Sequence, residues 1–198
     1  SFLVGLSGGH MIFLLFCTMI TSLILGMGVP TTANYVITST IAAPALIGVG
    51  VPLLAAHMFV FYFGIIADIT PPVALAAFAG SAISGGNPLK TAVNASKLGI
   101  AAFIVPYVFV LSPAILGINA TALQMGFTTI TALIGMIGVS AAMIGYFYRR
   151  VPLVLRIVLF GAGLCLIDPT PMTDLVGAGI MLSILVYQYM TKTREYKV

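Results

Sequence analysis

Leu25-Gly-Met-Gly-Val-Pro-Thr-Thr-Ala-Asn34 lies between two uncharged apolar runs, 11–25 and 35–47, and its reading decides the fold. Gly26, Gly28 and Pro30 all fall in this stretch, and a helix interior loses about 1 kcal/mol at each Gly and about 3 kcal/mol at Pro. A continuous helix through it is therefore disfavoured. Each run is also shorter than the ~20 apolar residues that cross a bilayer. Two short arms joined by a glycine–proline turn make a re-entrant helical hairpin over 11–47, entering and leaving by one membrane face. A single kinked helix is the competing arrangement.

Composition supplies the membrane. Of 198 residues, 61% are hydrophobic and 6% charged, with eight Lys or Arg and four Asp or Glu. A soluble domain carries about 25% charged residues because its surface faces water, so lipid must be the solvent for most of this surface. The net charge of +4 comes from scattered bases, too few to follow a phosphate backbone, and nucleic acid is not an expected partner. Cys17 and Cys165 sit inside apolar runs and read as small core residues rather than a disulfide. The chain opens Ser-Phe-Leu-Val, without Met or a charged leader, and is expected to be part of a longer polypeptide.

A second interruption, Ala67-Asp-Ile-Thr-Pro-Pro-Val73, splits the run 53–83 into one broken transmembrane helix. Four further runs, 98–116, 122–148, 153–167 and 175–190, read as transmembrane helices, giving an all-α integral membrane protein. Tracing these spans puts Lys90, Lys97, Arg149, Arg150, Arg156, Lys192, Arg194 and Lys197 on one face, and Asp168 and Asp174 on the other. Short basic loops are cytoplasmic, so the C-terminus is expected in the cytoplasm. Arg156 lies several residues inside its run and must snorkel back to the interface. Lys90 and Lys97 mark one basic face of an amphipathic stretch.

Unwound main chain at membrane depth leaves N–H and C=O groups unpaired, and is tolerated only where protein, water or a bound ion satisfies them. Both interruptions are rich in small residues, prolines and neutral oxygens, and neither holds Lys or Arg. Freed carbonyls, Thr hydroxyls and an Asn amide suit a small hard cation such as Na⁺, while nearby half-helix N-termini favour an anionic group. A pair of interrupted segments points to a secondary transporter's binding site. Other roles compete. Asp68 also fits as a cap for a half-helix starting near Pro72, Thr31 and Thr32 as N-caps for a helix over 35–47, and Asn34 as a bridge between helices. His10 and His57 are far apart without Cys or carboxylate at ligand spacing, so no transition-metal site is expected and His57 reads as an interfacial or packing residue. Thr31 stands where a dinucleotide motif needs its last Gly, so that site is rejected.

Gly26-Met-Gly-Val-Pro-Thr-Thr-Ala-Asn-Tyr35, Ala43-Pro-Ala-Leu46, Ala55-Ala-His-Met-Phe-Val-Phe-Tyr-Phe63 and Asp68-Ile-Thr-Pro-Pro-Val-Ala-Leu75 together carry a likeness. They resemble the DctM-like large membrane subunit of tripartite ATP-independent periplasmic (TRAP) transporters, most nearly the fused permease of the TAXI branch. The likeness covers 11–116, and the later helices resemble that permease's C-terminal extension. It implies half of an inverted-repeat ion-transporter fold. Residues 1–116 would be the C-terminal half of the transport domain (hairpin 11–47, broken helix 53–83, helix 98–116), and 117–198 the transmembrane extension. It also implies a permease of the bacterial or archaeal inner membrane that imports a carboxylate from a periplasmic substrate-binding protein, by symport with Na⁺ as coupling ion and with no other cofactor. Further partners would be the N-terminal remainder of the permease and a small membrane subunit, fused or separate. Gly26, Gly28, Thr31, Thr32 and Asn34, with Asp68, Thr70, Pro71 and Pro72, would form one cation site and one wall of the substrate site. Where the family often follows Thr-Pro-Pro-Val with Gly, this chain has Ala74.

Three other functions compete. An intramembrane protease needs a Ser/His dyad or two facing Asp residues, and Asp68 has no intramembrane acidic companion. An ion channel, or another ion-coupled carrier of the same broad fold, also uses broken helices, but channels usually repeat one filter around an axis. A purely structural subunit leaves both interruptions without a reason.

Overall fold

The computed structural model describes residues 10–168 and 170–195, and all regular structure among them is helical. The chain divides into two compact units, Ser1–Leu116 and Gly117–Val198.

In the first unit, α1 (Met11–Gly26) and α2 (Thr31–Ile41) flank the glycine–proline turn. Met27 is extended and Gly28 has φ +73°, a left-handed conformation open to glycine. Pro30 then occupies the N-cap position with φ −56° and ψ 143°, which suits its fixed φ. The second arm therefore starts at Thr31 rather than at 35. It is interrupted at Ala42, after which α3 (Ala43–Ile47) carries Pro44 in its first turn. Gly26 and Asn34 both lie against Gly64 of α4 (Leu53–Ile66), and α3 returns to touch α1. The chain has turned back on itself, so 11–47 is not one continuous helix.

Helix α4 is apolar around its circumference, and such a helix must be buried. It is covered by α1, α2 and α7 (Ile100–Leu111). Phe59 and Phe63 are fully buried and meet Tyr107 of α7 edge-on at 5.4 and 5.8 Å between ring centroids. The Tyr107 hydroxyl donates to Met19 Sδ at 3.3 Å, which ties α7 to α1. Between α4 and α7 run α5 (Leu75–Ser84) and α6 (Pro88–Leu98). Asn87 caps α6 by accepting from Lys90 N at 3.0 Å, and Lys90 and Lys97 are exposed. Of the run expected as one span over 98–116, Leu98 thus closes α6 and the next helix begins at Ile100. Gly99 separates α6 from α7 at a 44° bend, and a side chain there would meet Ile69 Cδ1 at 2.8 Å.

The second unit holds α8 (Ala122–Ile144), α9 (Leu153–Cys165) and α10 (Pro171–Glu195). Thr121 and Gln124 form a capping box at the start of α8, and Gly145, with φ +78°, ends it ahead of the expected limit. Small residues let α8 and α9 touch through their backbones: a side chain on Gly135 would come 2.6 Å from Gly163 O. Close approach of this kind is how helices associate in lipid. Arg156 meets the carbonyls of α8's last turn, donating from Nε to Ala142 O at 2.7 Å and from Nη2 to Met143 O at 2.6 Å.

Among the described residues, two helices are long and apolar enough to cross a membrane, α8 and the 172–190 part of α10, or three if α6 and α7 form one bent span. That is fewer than expected from apolar runs, because proline and glycine cut α4, α7 and α9 short. Lys197 lies outside the described residues, as do the side chains of Lys192 and Arg194. Cys17 and Cys165 are both free thiols.

Candidate functional site

The broken helix unwinds where Thr-Pro-Pro requires it. After α4 the chain makes a 3₁₀ turn over Ala67–Ile69, passes the cis Pro71-Pro72 bond, and restarts as α5 with Ala74 at the N-cap position. Ala74 is fully buried and has φ +34°, in the left-handed region that glycine enters without strain. Glycine at this position in the resembled family thus has a conformational reason.

Much of the freed backbone finds partners. Thr70 Oγ1 donates to Ile66 O at 2.7 Å, Thr70 N to Ala67 O at 3.1 Å, and Ala74 N to Thr70 O at 3.2 Å. Ser96 of α6 reaches across to donate to Ile69 O at 2.8 Å. Helix α5 nevertheless starts without a side-chain cap, and so does α2. The caps expected from Asp68, Thr31 and Thr32 are therefore not made. Pro30 and Ala74 occupy the capping positions, so the helices begin elsewhere than the side chains required. Uncapped N-termini present N–H groups and the positive end of the helix dipole.

The hairpin turn and the broken helix meet. A side chain on Gly28 would come 3.8 Å from Val73 Cγ1, and α1 touches the Ala67–Ile69 turn. Gly26 packs so tightly that an added Cβ would be 2.6 Å from Gly64 O and 2.9 Å from Asn34 Nδ2. Asn34 is 3% exposed, and its Oδ1 accepts no hydrogen bond among the described residues. Of the other predicted site residues, Thr31 and Thr32 are exposed on the first turn of α2. Asp68, Thr70 and Pro71 are half-buried along the break, and Pro72 is exposed. No described hydrogen bond joins Thr31, Thr32 or Asp68 to one another. His57 accepts or donates at 3.0 Å with the Tyr35 hydroxyl, outside this junction.

Sequence reasoning missed Thr18, Ser22, Thr38 and Gly64. Thr18 and Ser22 are 0% exposed, and neither hydroxyl has a partner among the described residues. Thr21, by contrast, bonds back to Cys17 O at 2.9 Å, and Thr38 to Asn34 O at 2.9 Å. Buried oxygens left unpaired are uncommon and cost about 1–3 kcal/mol each. A signal was present: Thr18, Ser22 and Gly26 recur at one-turn spacing in an otherwise apolar helix, and so share one face.

Apolar helices whose unwound hairpin turn packs against a second interruption are an arrangement in which membrane transporters build binding sites. The chain belongs to the DctM family: the family model described as tripartite ATP-independent periplasmic transporter, DctM component, matches residues 1–125. It is therefore a membrane-embedded TRAP permease component, in a family of transporters rather than enzymes. No curated protein and no solved structure matches the chain significantly.

Proposed function

We propose that this chain is the C-terminal part of a TAXI-branch fused permease, importing a carboxylate by symport with Na⁺. The observation that carries the reading is the meeting of the hairpin turn with the helix break, beside two helix N-termini that no side chain caps. The N-termini of α2 and α5 attract the carboxylate, as helix N-termini attract anions generally. The cation takes the opposite chemistry: neutral oxygens at Thr31, Thr32, Asn34 and Thr70, the carboxylate of Asp68, and main-chain carbonyls near Gly26, Gly28, Pro71 and Pro72. Carbonyls at the C-terminal end of α1 carry the negative end of its dipole, which favours that charge. The two species then neutralise each other in a low-dielectric site, and neither binds well alone.

In this reading the chain sits in the bacterial or archaeal inner membrane with its C-terminus in the cytoplasm, as the basic loops require. A periplasmic binding protein delivers the substrate, and a small membrane subunit completes the system. The remaining half of an inverted repeat closes the site from the other side.

The test is uptake by the full-length permease, reconstituted with its binding protein, with and without an inward Na⁺ gradient. Uptake should need both gradient and binding protein. It should fall at least tenfold for Thr32→Val combined with Thr70→Val, and half-saturation by Na⁺ should shift upward. Gradient-independent uptake would remove Na⁺ coupling, and wild-type transport by the double variant would remove this site.

A further inference from the structure

The second unit carries a feature that transport at the hairpin does not use. Between the last turns of α8 and the first turns of α9 lies an apolar groove of about 350 Å³, lined by Ala142, Met143, Leu153, Arg156, Ile157 and Phe160. Leu153, Arg156, Ile157 and Phe160 share one helical face, so the groove runs along α9. Leu153 and Ile157 are 71% and 69% exposed and open it to the hydrocarbon.

Arg156 is the one charged residue in this lining. Its Nε and Nη2 donate to Ala142 O and Met143 O, which anchors the guanidinium over Gly145 at the carboxyl end of α8. A guanidinium has five N–H donors, and these bonds use one each from Nε and Nη2. The others have no described partner, and no carboxylate among the described residues pairs with this charge. Arg149 and Arg150, in the loop between α8 and α9, add positive charge at the same end. An apolar slot with a fixed, partly unused guanidinium at a basic membrane-facing end requires an amphiphile that is anionic at its head and apolar in its tail. Basic pockets between membrane helices bind anionic lipid head groups for this reason, and Arg is suited to a phosphate because its planar fork presents paired donors.

We infer that this groove binds an anionic phospholipid, with the phosphate on Arg156 and one acyl chain lying along Leu153, Ile157 and Phe160. The bound lipid clamps the α8–α9 end of the extension.

The test uses the full-length permease in detergent, supplied with vesicles of phosphatidylglycerol or of phosphatidylcholine, with retained lipid read by native mass spectrometry and unfolding by thermal scan. Phosphatidylglycerol should be retained in preference and should raise Tm, while inorganic phosphate should do neither. Arg156→Gln should weaken phosphatidylglycerol retention about fivefold, the effect of removing one basic residue at a lipid surface. Because Arg156 also braces α8, a second variant leaves it in place: Ile157→Trp fills the groove and should abolish preferential retention while α8 stays capped. Equal retention of both lipids, stabilisation by inorganic phosphate alone, or unchanged retention by Ile157→Trp would each overturn the inference.

Discussion

The side-chain amide of Asn34 occupies the space where a side chain on Gly64 would stand: an added Cβ would lie 2.6 Å from both Nδ2 and Oδ1. Through this contact, with Gly26 close to both Gly64 and the amide, the hairpin and the broken helix press against each other close to both interruptions. Gly64→Ala should therefore cost about 1–3 kcal/mol by overpacking and reduce transport. Thermal unfolding of the purified permease reads the cost. Adding Asn34→Ala should restore part of it, because adjacent residues couple by about 0.5–3 kcal/mol. A Gly64→Ala protein that melts like wild type would mean the three residues do not meet.

Ala74 makes the opposite prediction. Its φ of +34° is a conformation that costs a side chain about 1–2 kcal/mol, against which glycine loses about 0.5–1 kcal/mol in unfolded-state entropy. Ala74→Gly should thus be neutral to stabilising by up to about 1.5 kcal/mol, seen as an unchanged or higher Tm. A drop in Tm would place Ala74 in an ordinary helical conformation.

Two glycines in α9 separate packing from propensity. A Cβ on Gly163 would come 2.7 Å from Gly135 O, whereas one on Gly161 would meet nothing within 4 Å. Gly163→Ala should destabilise the extension by about 1–3 kcal/mol, while Gly161→Ala should stabilise it by up to about 1 kcal/mol through helix propensity. Comparable effects of the two in a denaturation series would show that α8 and α9 are not in backbone contact.

Thr18 and Ser22 test the buried oxygens. Each is fully buried with no partner for its hydroxyl among the described residues, so replacing it by an apolar residue of similar shape removes an unpaired group. Thr18→Val and Ser22→Ala should leave Tm unchanged or raise it by an amount equivalent to no more than about 1–3 kcal/mol each. A clear loss of stability in either variant would reveal a hydrogen bond not seen in this conformation.

How far the sequence could be read depended on the range of the interaction. The hairpin and the broken helix were legible because Gly26, Gly28, Pro30, Pro71 and Pro72 act on their own backbone, and their helix penalties need no distant partner. The starts of α2 and α5 were misplaced because Thr31, Thr32 and Asp68 look like caps locally, while the packed structure put Pro30 and Ala74 in those positions. Thr18, Ser22 and Gly64 went unnoticed because small residues in an apolar run acquire meaning only from what faces them.

Membrane residence, the placing of both interruptions and the scarcity of charge were thus determined by the sequence alone, since each depends on transfer free energy or local backbone preference. Which residues the interruptions touch was decided only by tertiary structure. Asn34 against Gly64, Gly28 beside Val73 and Arg156 on the end of α8 join residues distant along the chain. Such contacts depend on how whole helices pack, and no local preference of the residues involved encodes them.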